Sequence, residues 1–231
     1  MVMFNVYRNK TIPTGLLSKN YRHESVVSEL IKIFHGKCYL CENNDLQSPR
    51  VEHLIPHQNS DILKYDWGNL FYSCDRCNNI KSDIHKDILD CTDHSLDIDY
   101  EIMHILPSIL SEEITLKTTS ISPSKNTLET MNLLNDCFNL QNTPFRRQTR
   151  MSLLEKMDEI HLNLKLLRMD LKKLDTPENI KKDSLARIKL MCNDNYPFSI
   201  FWKWFVYKDE YLQKTYPPYK EFAESIFKKA P

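Results

Sequence analysis

Four of the chain's cysteines fall in two CxxC pairs, Cys38-Tyr39-Leu40-Cys41 and Cys74-Asp75-Arg76-Cys77, separated by 32 residues. Thiolates are soft ligands that zinc takes in a tetrahedron, and two residues between sulfurs let one turn present both to one ion. Two such turns close a site with no open position. The ion expected at Cys38, Cys41, Cys74 and Cys77 is therefore a structural Zn2+, stapling a region with little core of its own. A redox dithiol is the competing chemistry, and two matched pairs without a βαβ pattern around them argue against it. Between the pairs stand Val51-Glu52-His53-Leu54-Ile55-Pro56-His57 and Trp67-Gly68-Asn69-Leu70, and Asn78-Asn79-Ile80-Lys81 follows the second. Phosphodiester hydrolysis needs a base for water, a cation on the phosphate and help for the leaving oxygen. A histidine with a reference pKa of roughly 6.5 can be that base. His53 and His57 do not form a metalloprotease helix, because Pro56 interrupts the segment and Leu54 stands where the glutamate would be needed.

Glu52 and His53 are neighbours, and neighbours on a strand point to opposite faces, so they serve one site only where the strand bends or ends. Residues 49–57 read as a short strand that meets Pro56. Residues 75–88 read as a helix, with Ile80, Ile84 and Ile88 four apart. Upstream, Val26, Val27, Leu30, Ile31 and Phe34 have helical spacing, and Gly36 supplies the turn into Cys38. Residues 1–23 read as an irregular arm, and the chain past Cys91 as loop to about Tyr100. The remainder reads as mostly helical. Ser124 or Asn126 caps one helix, Arg147 to Leu174 forms a long amphipathic one, and Thr176-Pro177-Glu178 starts the next. The aromatic run from Pro197 to Phe205 reads first as core and second as a docking face.

The bulk composition sets limits. No stretch of about 18 apolar residues occurs, so no membrane span is expected. The first residues lack a signal-peptide pattern, so a cytoplasmic setting with reduced thiols is expected. Cys91, Cys137 and Cys192 are isolated and read as small core hydrophobes. Formal net charge is +0, yet residues 83–113 hold nine acids and one base while residues 141–175 hold eight bases and five acids. A neutral chain without a basic stripe binds nucleic acid poorly alone, because counterion release needs clustered Lys and Arg.

The order Cys-x2-Cys, Glu-His-x2-Pro, Trp-x-Asn-Leu, Cys-x2-Cys-Asn-x2-Lys resembles the HNH endonuclease family. The wider run, from Phe34-His35-Gly36-Lys37 through Ile88-Leu89-Asp90 to Thr127-Leu128-Glu129 with Arg146 and Arg147, looks like the PtuB-type HNH subunit of Septu antiphage systems. The resemblance is strong over residues 30–90 and weaker to 150. It implies a zinc-stapled ββα-metal core, assigned to residues 1–95; with the helical patterning of 96–231, a region that could dock a partner, the expected class is α+β, mainly α. By the same resemblance His53 is the general base, Asn69 braces the loop that orients it, and Glu52 holds a catalytic Mg2+ or Mn2+. Asn78 stands where many members carry a histidine, and an oxygen donor there favours those hard ions. His57, Arg76 and Lys81 are candidate phosphate contacts. The implied partners are a DNA or RNA substrate, an ABC/SMC-like ATPase subunit and, in retron-linked members, a reverse transcriptase with its DNA–RNA hybrid. A zinc-stapled adaptor without catalytic activity is the alternative.

Overall fold

The computed structural model describes residues 4–109, 112–141 and 149–227. Arg146 and Arg147 lie outside the described residues. The first unit opens with a short helix α1 (Thr14–Leu17) and then α2 (Glu24–Ile33). The His23 ring caps α2 by accepting from the Ser25 amide at 3.2 Å. Val26, Leu30 and Phe34 lie on one face of this segment and are fully buried. Gly36, at φ +68°, turns the chain out of α2 and into the first cysteine pair.

Strands β1 (Pro49–His53) and β2 (Leu70–Cys74) pair antiparallel, with Glu52 opposite Phe71 and His53 opposite Leu70. Every β2 residue is buried, so this strand is covered on both faces. Phe34, after α2, and Tyr39, in the first cysteine turn, close on Phe71 at 5.5 and 5.1 Å between ring centroids. Helix α3 (Asp61–Tyr65) lies in the connection, capped by Ser60, and a 3₁₀ turn over Trp67–Asn69 leads into β2. Helix α4 (Asp75–Lys81) starts directly after β2 and packs on both strands of the ribbon.

The expected helix over 75–88 stops at Lys81. Ser82 takes a φ of 44°, a left-handed conformation that ends the helix. Ile84 is 77 % exposed, so its four-residue spacing from Ile80 and Ile88 does not mark a buried face.

After a one-turn helix α5 (Ile98–Glu101) comes a hairpin of β3 (Ile102–Ile105) and β4 (Thr115–Thr118). This second small sheet is a correction to the helical reading of the region. Each strand has four residues and no tight turn joins them, so neither periodicity nor turn chemistry betrays them. Helices α6 (Lys125–Asn139), α7 (Arg150–Lys172), α8 (Glu178–Met191), α9 (Ser199–Lys208), α10 (Glu210–Thr215) and α11 (Pro217–Ser225) complete the described fold. Ser124 caps α6 through the Thr127 amide, and proline begins α11. Phe198, Phe201, Trp202 and Trp204 are buried, so the aromatic run is core. Cys91, Cys137 and Cys192 are buried as expected. None of the described helices is long and apolar enough to cross a membrane.

The two halves meet through a buried ion pair. Lys37 and Glu42, both 0 % exposed, bracket the first CxxC pair and approach to 2.8 Å. Glu42 Oε2 also accepts from the Ser199 amide and hydroxyl, each at 2.7 Å. A carboxylate thereby sits at the N-terminus of α9, where the unpaired amides and the helix dipole favour negative charge. Lys37 closes the arrangement by donating to the Tyr196 carbonyl at 3.0 Å.

Candidate functional site

The four cysteines converge. Ligand atoms of Cys38, Cys41, Cys74 and Cys77 all lie within 4.8 Å of one another, and all four residues are buried. Cys41 and Cys74 Sγ atoms are 3.9 Å apart. A zinc–sulfur distance of about 2.3 Å in a tetrahedron sets sulfurs roughly 3.8 Å apart, so the cluster has the size of a zinc site. The local chain explains why. Cys38 N–H donates to the Asn43 carbonyl and Glu42 N–H to the Cys38 carbonyl, which curls the first pair into a tight turn. Tyr39 N–H donates to the Tyr72 carbonyl and ties that turn to β2. Cys74 is the N-cap of α4, its sulfur accepting from the Cys77 amide at 3.3 Å. Without an ion, burial raises the Cys38 thiol but hydrogen bonds from Cys41, Cys74 and Cys77 hold it well below the ordinary value, while hydrogen bonding within the cluster and burial raise the other three, so four thiolates together need a cation among them. The thiolate is the form that zinc takes.

Glu52 and His53 occupy the last two positions of β1, so the strand ends where both would need to serve one place. Their surroundings differ. His53 Nε2 is 3.1 Å from the Lys64 carbonyl. A carbonyl only accepts, so Nε2 carries the proton and Nδ1 keeps the lone pair. Tyr21 meets the ring edge-on at 5.0 Å and His57 at 4.7 Å. Burial lowers the His53 pKa from 6.5, against the opposing pull of the Lys64 carbonyl, so the ring is neutral at neutral pH.

Asn69 ties the loop after β1. Its Oδ1 accepts from the Ile55 amide at 2.8 Å, and its Nδ2 donates to the Ile55 and Leu63 carbonyls, each at 2.9 Å. His57 opens a sharp turn in that loop, where Gln58 and Asn59 both take positive φ. Its Nδ1 accepts from the Asn59 amide at 3.2 Å, and the residue is half-buried.

The remaining candidates lie elsewhere than at a solvent-facing phosphate site. Lys81 is fully buried, and its Nζ donates to Glu52 Oε1 and to the His53 carbonyl, each at 2.9 Å. Its expected reach to phosphate is replaced by a buried ion pair within the ribbon–helix sandwich. Arg76 is 1 % exposed, and its guanidinium donates to the Cys137 and Leu140 carbonyls of the α6 end, at 3.3 and 2.6 Å. It pins α4 to α6 and presents no surface guanidinium. Asn78 is half-buried and precedes Lys81 by three residues, which places both on one face of α4.

The donor chemistry of Glu52 with Asn78 suits a hard divalent ion completed by water and phosphate. The pairing of Glu52 with Lys81 sets a condition, because a cation already neutralises that carboxylate. Burial raises the Glu52 pKa, and the Lys81 charge works against the rise. Among the described residues, the only cluster of three or more metal-type side chains is the four cysteines.

Three contributors escaped the sequence. Arg8 donates to the Trp67 and Leu70 carbonyls, each at 2.8 Å, and braces the turn that carries Asn69. Tyr21 flanks His53, and Lys64 acts through its backbone. Arg8 and Tyr21 sit in a stretch without periodicity, and a carbonyl leaves no trace in residue type.

The chain matches no protein-family profile, and no solved structure matches it. It is 36% identical to the Septu protein PtuB of Bacillus mycoides (strain KBAB4), over a stretch covering 25% of this chain and 25% of that protein. The match thus spans about a quarter of the length of that relative.

Proposed function

We propose that the chain is a metal-dependent HNH nuclease, the effector subunit of a Septu-type antiphage complex. The observation that carries the reading is His53. It stands at the end of β1 as a neutral imidazole, held through Nε2 by the Lys64 carbonyl, with Nδ1 left as a proton acceptor. The similarity to a protein named for the Septu system supports the setting. In this reading Nδ1 takes the proton of the attacking water, and Asn69 keeps the loop around His53 in place. Glu52 and Asn78 are the residues that would hold Mg2+ or Mn2+, which when bound supplies charge to the phosphate and the leaving oxygen. The implied partner is an ABC/SMC-like ATPase that brings nucleic acid to a neutral chain. In retron-linked assemblies a reverse transcriptase with its DNA–RNA hybrid joins them.

One observation favours a second reading, a zinc-stapled adaptor without activity. Lys81 occupies the Glu52 carboxylate as a fixed cation would. Cleavage of plasmid DNA and of total RNA with Mg2+ or Mn2+, by wild type and His53→Ala, alone and with the ATPase, separates the two. Cleavage that disappears in His53→Ala, with fold and zinc content kept, supports the nuclease. Cleavage that persists in that variant, or is absent from the full complex, leaves the adaptor.

A further inference from the structure

Four rings stand in a row beside the candidate base. Tyr65 lies 6.4 Å from Tyr21 between centroids, Tyr21 meets His53 edge-on at 5.0 Å, and His53 meets His57 at 4.7 Å. His53 is buried, but Tyr21, Tyr65 and His57 are only half-buried. Among the described residues neither tyrosine hydroxyl is hydrogen-bonded to protein, and neither is sealed from solvent. The local chain sets both tyrosines here. The carbonyl of Lys64, next to Tyr65, is the one that holds His53. The Asn20 side chain accepts from the Arg22 amide at 3.1 Å, and Gly15 lets the arm before α2 close, since a Cβ there would stand 2.3 Å from that of His23.

Cations are set among these rings. The Arg22 guanidinium lies 5.3 Å from the Tyr21 centroid, and Lys64 Nζ and Lys19 Nζ lie 5.4 and 5.9 Å from that of Tyr65. Arg22 is exposed and Lys64 half-buried, and among the described residues neither is in an ion pair with a carboxylate. Two acids of this stretch are engaged, Asp61 with Lys19 at 2.9 Å and Asp66 with the Gly68 amide at 2.9 Å. A purely structural cluster looks different in this same molecule. Arg8 lies 4.8 Å from the Trp67 ring and 5.1 Å from that of Phe71, but both rings are buried and its guanidinium is taken by the Trp67 and Leu70 carbonyls. Around Tyr21 and Tyr65 the rings stay open and two cations stay unpaired.

Open aromatic rings interleaved with free cations match a single strand, whose unpaired bases stack on rings and whose phosphates take the cations. A duplex would use the cations but keeps its bases stacked on one another, which leaves the tyrosines without a role. We propose that the site beside His53 takes an unpaired nucleic-acid strand, its bases on Tyr21 and Tyr65 and its phosphates at Arg22 and Lys64. For its role in cleavage this strand site rests on the nuclease reading of His53. It supplies the phosphate contacts that buried Arg76 and Lys81 do not.

The test is binding by the full zinc-loaded chain at low salt without added Mg2+ or Mn2+, read by anisotropy of short labelled single-stranded DNA, single-stranded RNA and duplex DNA. The expected result is a single strand, DNA or RNA, bound about tenfold or more tighter than the duplex. Tyr21→Leu and Tyr65→Leu should each weaken single-strand binding roughly tenfold, with duplex binding, zinc content and circular dichroism unchanged, while Tyr21→Phe keeps it. Arg22→Ala and Lys64→Ala should each reduce the slope of log affinity on log salt by about 0.7. The proposal is overturned if no strand binds, if the duplex binds as well as either strand, or if both leucine variants fold and bind like wild type. Should the leucine variants not fold, unchanged salt slopes in Arg22→Ala and Lys64→Ala overturn it. Cleavage is scored separately. Cleavage lost in His53→Ala without a single-strand preference removes the strand site alone, and single-strand binding with cleavage untouched by His53→Ala removes the nuclease reading alone.

Discussion

Glu52 keeps only 8 % of its side chain exposed, and Lys81, fully buried, is the cation on it. Removing one partner of a buried pair typically costs about 3–5 kcal/mol, because the other charge is stranded. Lys81→Met should therefore lower the melting temperature at neutral pH, and less so in acid, where Glu52 is protonated. If Glu52 and Asn78 accept a divalent ion, Mn2+ should recover the melting temperature of Lys81→Met more than it moves wild type. Equal shifts in the two proteins would remove Glu52 from any metal site. His53 carries a pH prediction of its own. Its pKa lies below 6.5, so a reaction using it as base should keep its rate as pH falls past 6.5 and lose it only below the depressed value. An acidic limb above 6.5 would assign the base elsewhere. Asn69→Ala removes three loop hydrogen bonds and should cost about 1–3 kcal/mol, read by denaturant unfolding, with a lower cleavage rate.

At the scale of elements, the two cysteine turns, the β1–β2 ribbon and α4 form one construction. Cys38→Ser or Cys74→Ser should lose zinc and loosen this part, seen as lower metal content and faster proteolysis between residues 38 and 81. A folded variant with unchanged zinc and activity would contradict the site. Much of this construction was legible in the sequence. Ligand spacing and the 3.6-residue pattern are local, so the cysteine cluster, α2, the Ser124 cap and the start of α8 follow from neighbours in sequence. Lys81 and Arg76 were not legible in the same way. Each is a basic residue on a short helix, and only the tertiary packing shows that one turns inward to Glu52 and the other to the end of α6. Ile84 shows the opposite failure, a periodic position left in solvent because Ser82 ends the helix first.

At the scale of the whole molecule, two buried neutral histidines contribute to the response to acid. An unfolded chain takes up protons on them near 6.5, while folded His104 refuses one until about 3 and His161 until about 4. Burial is the main cause for both. The Ile102 carbonyl opposes it at His104, while Lys165 adds to it and Asp158 opposes it at His161. Their contribution is complete above pH 6.5 and is lost as pH falls toward 4 and then 3. Acid therefore favours the unfolded chain, which takes these protons more readily than the folded one. His161→Leu should flatten the part of the stability profile between about pH 6.5 and 4, measured by urea unfolding across that range.

Glu42 follows directly on Cys41, and it is also the residue on which α9 begins. A load on α9, from a docked protein, would therefore be delivered to the peptide next to a sulfur of the cysteine cluster. The first cysteine turn becomes a strain gauge for the far half of the chain. Its reading would be chemical, as the rate at which an alkylating reagent captures Cys41.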